Sequence, residues 1–107
     1  MKLLTKKIIK ALPSHMSTNT TSLENRIVIC KFFMPHSSWN WFVFEGEQDN
    51  KPHYDEEIDY IFFGMVYGVK RGLRYFKLSE LSRITSLFRL PVERDPSIFK
   101  KKYWECR

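Results

Sequence analysis

Apolar positions recur every four residues near the start of the chain: Leu4, Ile8 and Leu12 fall on one side, and Lys6, Lys7 and Lys10 lie between them. That spacing predicts a short amphipathic helix with its lysines in water. Thr5 is placed to cap it, Leu4 and Ile9 are spaced as a hydrophobic staple, and Pro13 stops it. From Ser14 to Asn25 the chain is rich in Ser, Thr and Asn without an apolar period, so residues 14–25 are expected to form a flexible loop. Strand-type composition follows. Ile27 to Phe33 is a β-branched and aromatic run, Met34 to Ser38 turns the chain at Pro35, and Trp39 to Glu45 resumes with Trp, Phe and Val, which predicts a hairpin.

Residues 46–59 lose the pattern and collect acids around Pro52, so they are expected to be an acidic loop. Tyr60 to Tyr67 predicts a third strand, Gly68 to Gly72 a turn, and Leu73 to Lys77 a fourth strand. A second helix is expected from Ser79 as its cap, with Glu80 set favourably against the helix dipole and Leu81, Ile84 and Phe88 on one side, until Pro91 ends it. The tail over 96–107 is basic and is either docked or a mobile arm. Together these elements predict a single α+β domain: a small antiparallel four-stranded meander with an N-terminal helix and a C-terminal helix.

Composition supports that reading. A 107-residue chain with 43% hydrophobic residues can bury a core without a disulfide scaffold or a metal, and is too apolar to be a disordered tail. The uncharged run from Tyr60 to Val69 is about half the length of a membrane-spanning helix. Met1-Lys2-Leu3-Leu4 is interrupted by Lys6, Lys7 and Lys10 and does not read as a signal peptide. Cys30 lies in an apolar run and Cys106 near the end, and neither suggests a structural disulfide, so a reducing cytoplasm is expected.

Charge changes the picture more. The formal net charge is +6, distributed as +5 over residues 1–35, −6 over 36–60 and +7 over 61–107. Two basic segments flanking an acidic one point to a polyanionic partner. Lys6 and Lys7 sit in a first helical turn, where positive charge costs about a few tenths of a kcal/mol each. Lys70, Arg71 and Arg74 surround the last predicted hairpin, and Lys100, Lys101 and Lys102 lie in the tail.

Candidate chemistry is sparse. Trp39 and Trp41 project from one face of a strand, with Phe42 and Phe44 on the other, so this strand is either covered on both sides or displays a stacking platform for bases. Arg71 to Phe76 imitates an RNA-recognition motif only superficially, because Arg74 replaces its second small residue. Gly64, Gly68 and Gly72 do not join a strand to a helix and make no phosphate cradle. Gly64 is expected to relieve crowding or mark a bulge, and Gly68 and Gly72 to supply positive φ. Glu93 and Asp95 share a face in an extended segment, but no His or third carboxylate accompanies them and Arg94 offers an ion-pair partner, which weighs against catalysis. His15, His36 and His53 lack zinc-ligand spacing, and nothing pairs Cys30 with a base.

Met1-Lys2-Leu3-Leu4-Thr5 with Leu12-Pro13, Trp39 and Trp41 with Glu45, Phe62-Phe63-Gly64 with Gly68, Leu73, Tyr75-Phe76, Ser79-Glu80-Leu81 and Leu90-Pro91-Val92-Glu93-Arg94-Asp95 occur in an order that resembles the bacterial domain-of-unknown-function family 2958. The segment from Gly46 to Asp59 and the Lys-rich tail depart from that pattern. The resemblance implies no assigned activity. It implies an accessory protein of plasmids, integrative elements or phages, found near antirestriction or DNA-transfer functions.

The expectation is therefore a non-enzymatic protein without metal or cofactor, binding a host defence nucleoprotein complex or its RNA or DNA, as a counter-defence inhibitor of the anti-CRISPR or antirestriction kind. Its contact residues would be Lys6, Lys7, Lys10, Lys70, Arg71, Arg74, Lys100, Lys101 and Lys102. Alternatively an acidic surface of Glu45, Glu47, Asp49, Asp55, Glu56, Glu57 and Asp59 mimics phosphate. A second class is a single-stranded DNA or RNA binder of plasmid or phage replication, stacking bases on Trp39 and Trp41. The third is an enzyme using Glu93 and Asp95. No membrane or small-molecule substrate is expected.

Overall fold

A computed structural model describes residues 3–49 and 58–106. Thr5 caps α1 (Lys6–Ala11) as expected: its Oγ1 accepts the Ile8 N–H at 3.3 Å. A 3-10 turn over Leu23–Asn25 leads into β1 (Ile27–Val28) and β2 (Cys30–Phe33), which divide the first apolar run. β3 spans Asn40–Asp49, β4 Asp59–Tyr67 and β5 Arg71–Lys77; α2 (Leu78–Phe88), β6 (Glu93–Arg94), β7 (Lys101–Lys102) and α3 (Tyr103–Cys106) follow.

The fold is α+β, with a main sheet in the order β5-β4-β3-β2-β6 and antiparallel neighbours throughout. β2 to β5 form the expected meander. The expected four strands are corrected to five, because β6 returns along the other side of β2 and pairs Arg94 with Phe32 and Glu93 with Phe33. Such a short polar strand has no apolar period of its own; its conformation comes from the edge it joins. The tail is docked: β7 pairs with β1 in a second small sheet, and the Tyr103 N–H donates to the Arg26 carbonyl at 2.8 Å.

Both faces of the main sheet are covered. Strand alternation sends Trp41 and Val43 to one side, where Phe32, Phe62, Val66 and Phe76 meet Ile8 of α1 and Leu81 of α2. It sends Phe42 and Phe44 to the other, where they meet Val28, Met65, Ile98 and Tyr103. β3 is thus a central strand apolar on both sides because both sides are buried. Each fully buried Phe there contributes about 1.5–3 kcal/mol.

A bulge interrupts β3. Val43 pairs with Gly64 and Glu45 with Phe63, so Phe44 is the extra residue and Glu45 falls on the same face as Phe44. Gly64 serves the role expected of it, since a Cβ there would lie 1.7 Å from the Phe42 carbonyl oxygen. The positive φ expected at Gly68 and Gly72 is absent: no described glycine has one. Gly68 instead clears space for the Trp39 ring, 2.3 Å from where its Cβ would stand.

Two further expectations are corrected. The acidic loop begins later than residue 46, because β3 runs on to pair Glu47, Gln48 and Asp49 with Ile61, Tyr60 and Asp59. Ser79 does not cap α2. It lies inside the first turn, where its N–H (3.0 Å) and hydroxyl (2.6 Å) both donate to the Asp59 carboxylate.

Candidate nucleic-acid interface

β5 is an outer strand, hydrogen-bonded to β4 alone, and its exposed residues follow from that position. Lys70 in the β4–β5 turn, Arg71 and Arg74 are all exposed along one edge of the sheet, with Arg71 and Arg74 on opposite faces of the strand. Arg71 pairs across the ladder with Tyr67, and its guanidinium lies 5.4 Å from the Tyr67 ring centre. Tyr67 is itself fixed by a hydroxyl-to-hydroxyl hydrogen bond with buried Tyr103. Along the same face come Leu73, 44% exposed, and Tyr75, 56% exposed. The Tyr75 ring is held at 4.8 Å by Phe63 and at 5.4 Å by the edge of His15.

A second basic cluster joins the two ends of the chain. Lys7 of α1 and Lys100 both place Nζ against the Phe99 ring, at 4.2 Å and 5.5 Å, so the negative face of one aromatic offsets two cations. Lys6 and Lys10 are exposed on α1, and Lys101 and Lys102 on β7. Since β5 and β6 are opposite edges of the sheet, Lys70, Arg71 and Arg74 form one cationic surface and the α1 and tail lysines another. No ion pair involves any of these nine residues among those described.

The acidic surface is largely dismantled. Glu45 is 1% exposed: its carboxylate accepts the N–H of Met16 at 2.7 Å, the N–H of Thr18 at 3.0 Å and the Thr18 hydroxyl. Burial raises its pKa, but these hydrogen bonds and nearby Arg26 outweigh burial and hold the carboxyl below the usual range. Asp49 is buried and pairs with Lys77 at 3.3 Å, and Asp59 is buried against Ser79. Glu47 is exposed and tied to the His15 N–H at 2.9 Å. Asp55, Glu56 and Glu57 lie outside the described residues. Of the expected mimic, three carboxylates are internal because the bulge, the β3 extension and the α2 N-terminus use them. Glu45 and Glu47 also anchor His15, Met16 and Thr18, near the start of the segment expected to be flexible.

The tryptophan platform is corrected as well. Trp39 and Trp41 do share a face and stack on each other at 5.7 Å, but Trp41 is 3% exposed and Trp39 packs against the core and over Gly68. Neither presents a pair of open ring faces. Glu93 and Asp95 are not combined into acid–base machinery. Asp95 accepts the Ser97 N–H (2.9 Å) and hydroxyl (2.6 Å), which lower its pKa, while Arg94 donates to the Leu3 carbonyl at 2.9 Å. Glu93 lines a shallow pocket of about 350 Å³ with Leu3, Ser82, Thr85, Pro91 and Val92, and is the one titratable side chain among these described lining residues. Burial pushes the Cys30 thiol up to about 12, the reverse of an activated nucleophile. Among the described residues no group of His, Cys, Asp and Glu could hold a metal ion, and no helix is long and apolar enough to cross a membrane.

Sequence reasoning misses Leu73 and Tyr75, taken as ordinary strand residues, and Phe99. The available signal for the first two is the alternation Arg71, Leu73, Tyr75, Lys77 in the last strand of a meander, where an outer position follows from topology. One protein-family description, "Protein of unknown function (DUF2958)", matches residues 3–103. No curated protein and no solved structure matches the chain.

Proposed function

Because the chain belongs to the DUF2958 family, whose description assigns no activity, we propose from its own surface that it is a non-enzymatic accessory protein that binds a nucleoprotein target or its nucleic acid. In this reading it is a counter-defence inhibitor of the anti-CRISPR or antirestriction kind, carried by a mobile element and acting in the cytoplasm. The observation that supports it is the sorting of charge. All nine expected cations are exposed and none is engaged in an ion pair among the described residues, while Glu45, Asp49 and Asp59 are drawn inside. The surface around the cationic clusters is therefore more positive than the composition suggests, and exposed Lys and Arg attract phosphate by counterion release. An inhibitor of this type requires a rigid domain with complementary charge and no catalytic group.

The test is a defence-inhibition assay with two charge-reversed variants, one at Lys70, Arg71 and Arg74 and one at Lys100, Lys101 and Lys102. Loss of inhibition in either, with the fold retained, supports the electrostatic reading. Full inhibition by both overturns it.

A further inference from the structure

We propose that the open edge of β5, together with the β4–β5 turn, is a binding surface for single-stranded nucleic acid, with Tyr75 stacking on a base, Lys70 and Arg71 engaging phosphates on the Tyr75 side and Arg74 engaging them from the other side of the same edge. This rests on the nucleic-acid reading above and narrows it to one edge and to unpaired bases.

The first ground is position. β5 has a neighbour on one side only, and Arg71, Leu73 and Tyr75 lie on one face at alternate positions, each about 6.7 Å from the next. A cation, an apolar side chain and an aromatic ring are thus presented in a line on a rigid sheet. The second ground is the ring itself. Tyr75 is 56% exposed, and its two aromatic neighbours meet it at 51° and 77° rather than lying flat on it. Phe63 and His15 therefore fix its orientation without stacking over it, so little side-chain freedom is left to lose when a base binds. His15 is fixed in turn, its Nε2 at 2.8 Å from the Ile61 carbonyl and its Nδ1 at 3.8 Å from Glu47.

The third ground is charge. From Tyr67 to Lys77 the chain holds Lys70, Arg71, Arg74 and Lys77 and no acid. Lys77 is committed to Asp49; Lys70 lies in the adjoining turn, Arg71 shares the Tyr75 face and lies against Tyr67 with Glu24 nearby, and Arg74 is exposed on the other face of the same edge strand. Bases inside a duplex stack on each other and cannot lie on a tyrosine, so an aromatic flanked by cations selects unpaired strand.

A second copy of the chain is a poor occupant of this edge. Antiparallel pairing of β5 with itself about Arg74 would set Arg74 opposite Arg74 and Arg71 opposite Lys77, and like charges directly opposed are destabilising.

The test is fluorescence anisotropy with short labelled single-stranded RNA, single-stranded DNA and duplex DNA, using wild type, Tyr75→Ala, Tyr75→Trp and a Lys70→Gln/Arg71→Gln/Arg74→Gln triple variant. Circular dichroism confirms the fold, which the exposure of Tyr75 allows it to keep. The expected result is tighter binding of single strands than of duplex, weakened roughly tenfold to a hundredfold by Tyr75→Ala, retained by Tyr75→Trp, and weakened in the triple variant with a shallower salt dependence. Single-strand binding that Tyr75→Ala leaves unchanged overturns this inference while leaving the nucleic-acid reading intact. Absence of binding to all three probes overturns both. Displacement of RNA by polyglutamate as effectively as by unlabelled RNA, or a dimer in gel filtration that the triple variant dissolves, assigns the edge to a protein and also overturns it.

Discussion

Replacing Glu45 by Gln tests whether this carboxylate holds the fold or decorates the surface. Glu45 is 1% exposed and receives three donors from residues 16 and 18. Gln keeps one acceptor, which can still serve the Met16 N–H, but turns an NH₂ group toward the two Thr18 donors. Two part-buried donors then face an NH₂ group inside the site, at about 1–2 kcal/mol each, partly relieved by rotation of Thr18. A net loss of about 2–4 kcal/mol is a large share of the roughly 5–15 kcal/mol that stabilises a domain of this size. It corresponds to a fall in Tm of about 10–20 °C. The pH dependence gives a second readout. Because the folded-state pKa is depressed, the stabilisation is fully present above the ordinary Glu value of about 4.3 and is lost as pH falls through the lower folded value. Urea denaturation of wild type and Glu45→Gln should therefore differ near neutral pH and converge in acid. Glu47→Gln, at an exposed position, should cost less than about 0.5 kcal/mol. A Glu45→Gln urea midpoint equal to that of wild type at neutral pH, or a difference that persists undiminished in acid, would refute the reasoning.

Gly64→Ala should cost more than about 3 kcal/mol, because its Cβ would overlap the Phe42 carbonyl, a backbone atom 1.7 Å away that cannot step aside; a soluble variant with wild-type Tm would contradict the bulge geometry. Asp59→Ala removes both Ser79 contacts at the start of α2 and should cost about 1–2 kcal/mol, with faster amide exchange in the first turn; unchanged exchange would remove Asp59 from that role. Cys30 is 0% exposed with its thiol pushed up to about 12, so a thiol reagent should modify it only on unfolding; labelling of two thiols in the native protein at the same rate would be inconsistent with this burial.

The meander was legible because its signals are local. Pro35 and the serines break β2 from β3, Gly68 to Lys70 break β4 from β5, and the aromatic and β-branched runs between them have nowhere to go but a sheet. Thr5, likewise, caps a helix three residues away. The misreadings arise where a distant partner decides. Glu93 and Arg94 become a strand only because β2 offers an edge, and Asp59 supplies the acceptor at the start of α2, to which Ser79 donates instead of capping the helix itself. Glu47 and Asp49 read as loop because acids rarely continue a strand, and Glu45, at the end of its predicted strand, read as part of an acidic surface; yet the bulge at Phe44 turns Glu45 toward Met16 and Thr18, and Lys77 receives Asp49. For the interface, Lys70, Arg71 and Arg74 were recognisable from charge alone. Tyr75 was not, since its exposure depends on β5 being the last strand of the sheet, and the meeting of Lys7 with Lys100 at Phe99 depends on the docking of the tail.

The salt dependence of single-stranded RNA binding, measured for wild type and for the Lys70→Gln/Arg71→Gln/Arg74→Gln variant, tests the cationic-surface account most directly. Wild type should bind with an affinity that falls steeply as salt rises, and removing three phosphate contacts should reduce the log–log slope by about 2. An unchanged slope in the variant, or no binding by wild type even at low salt, would contradict it.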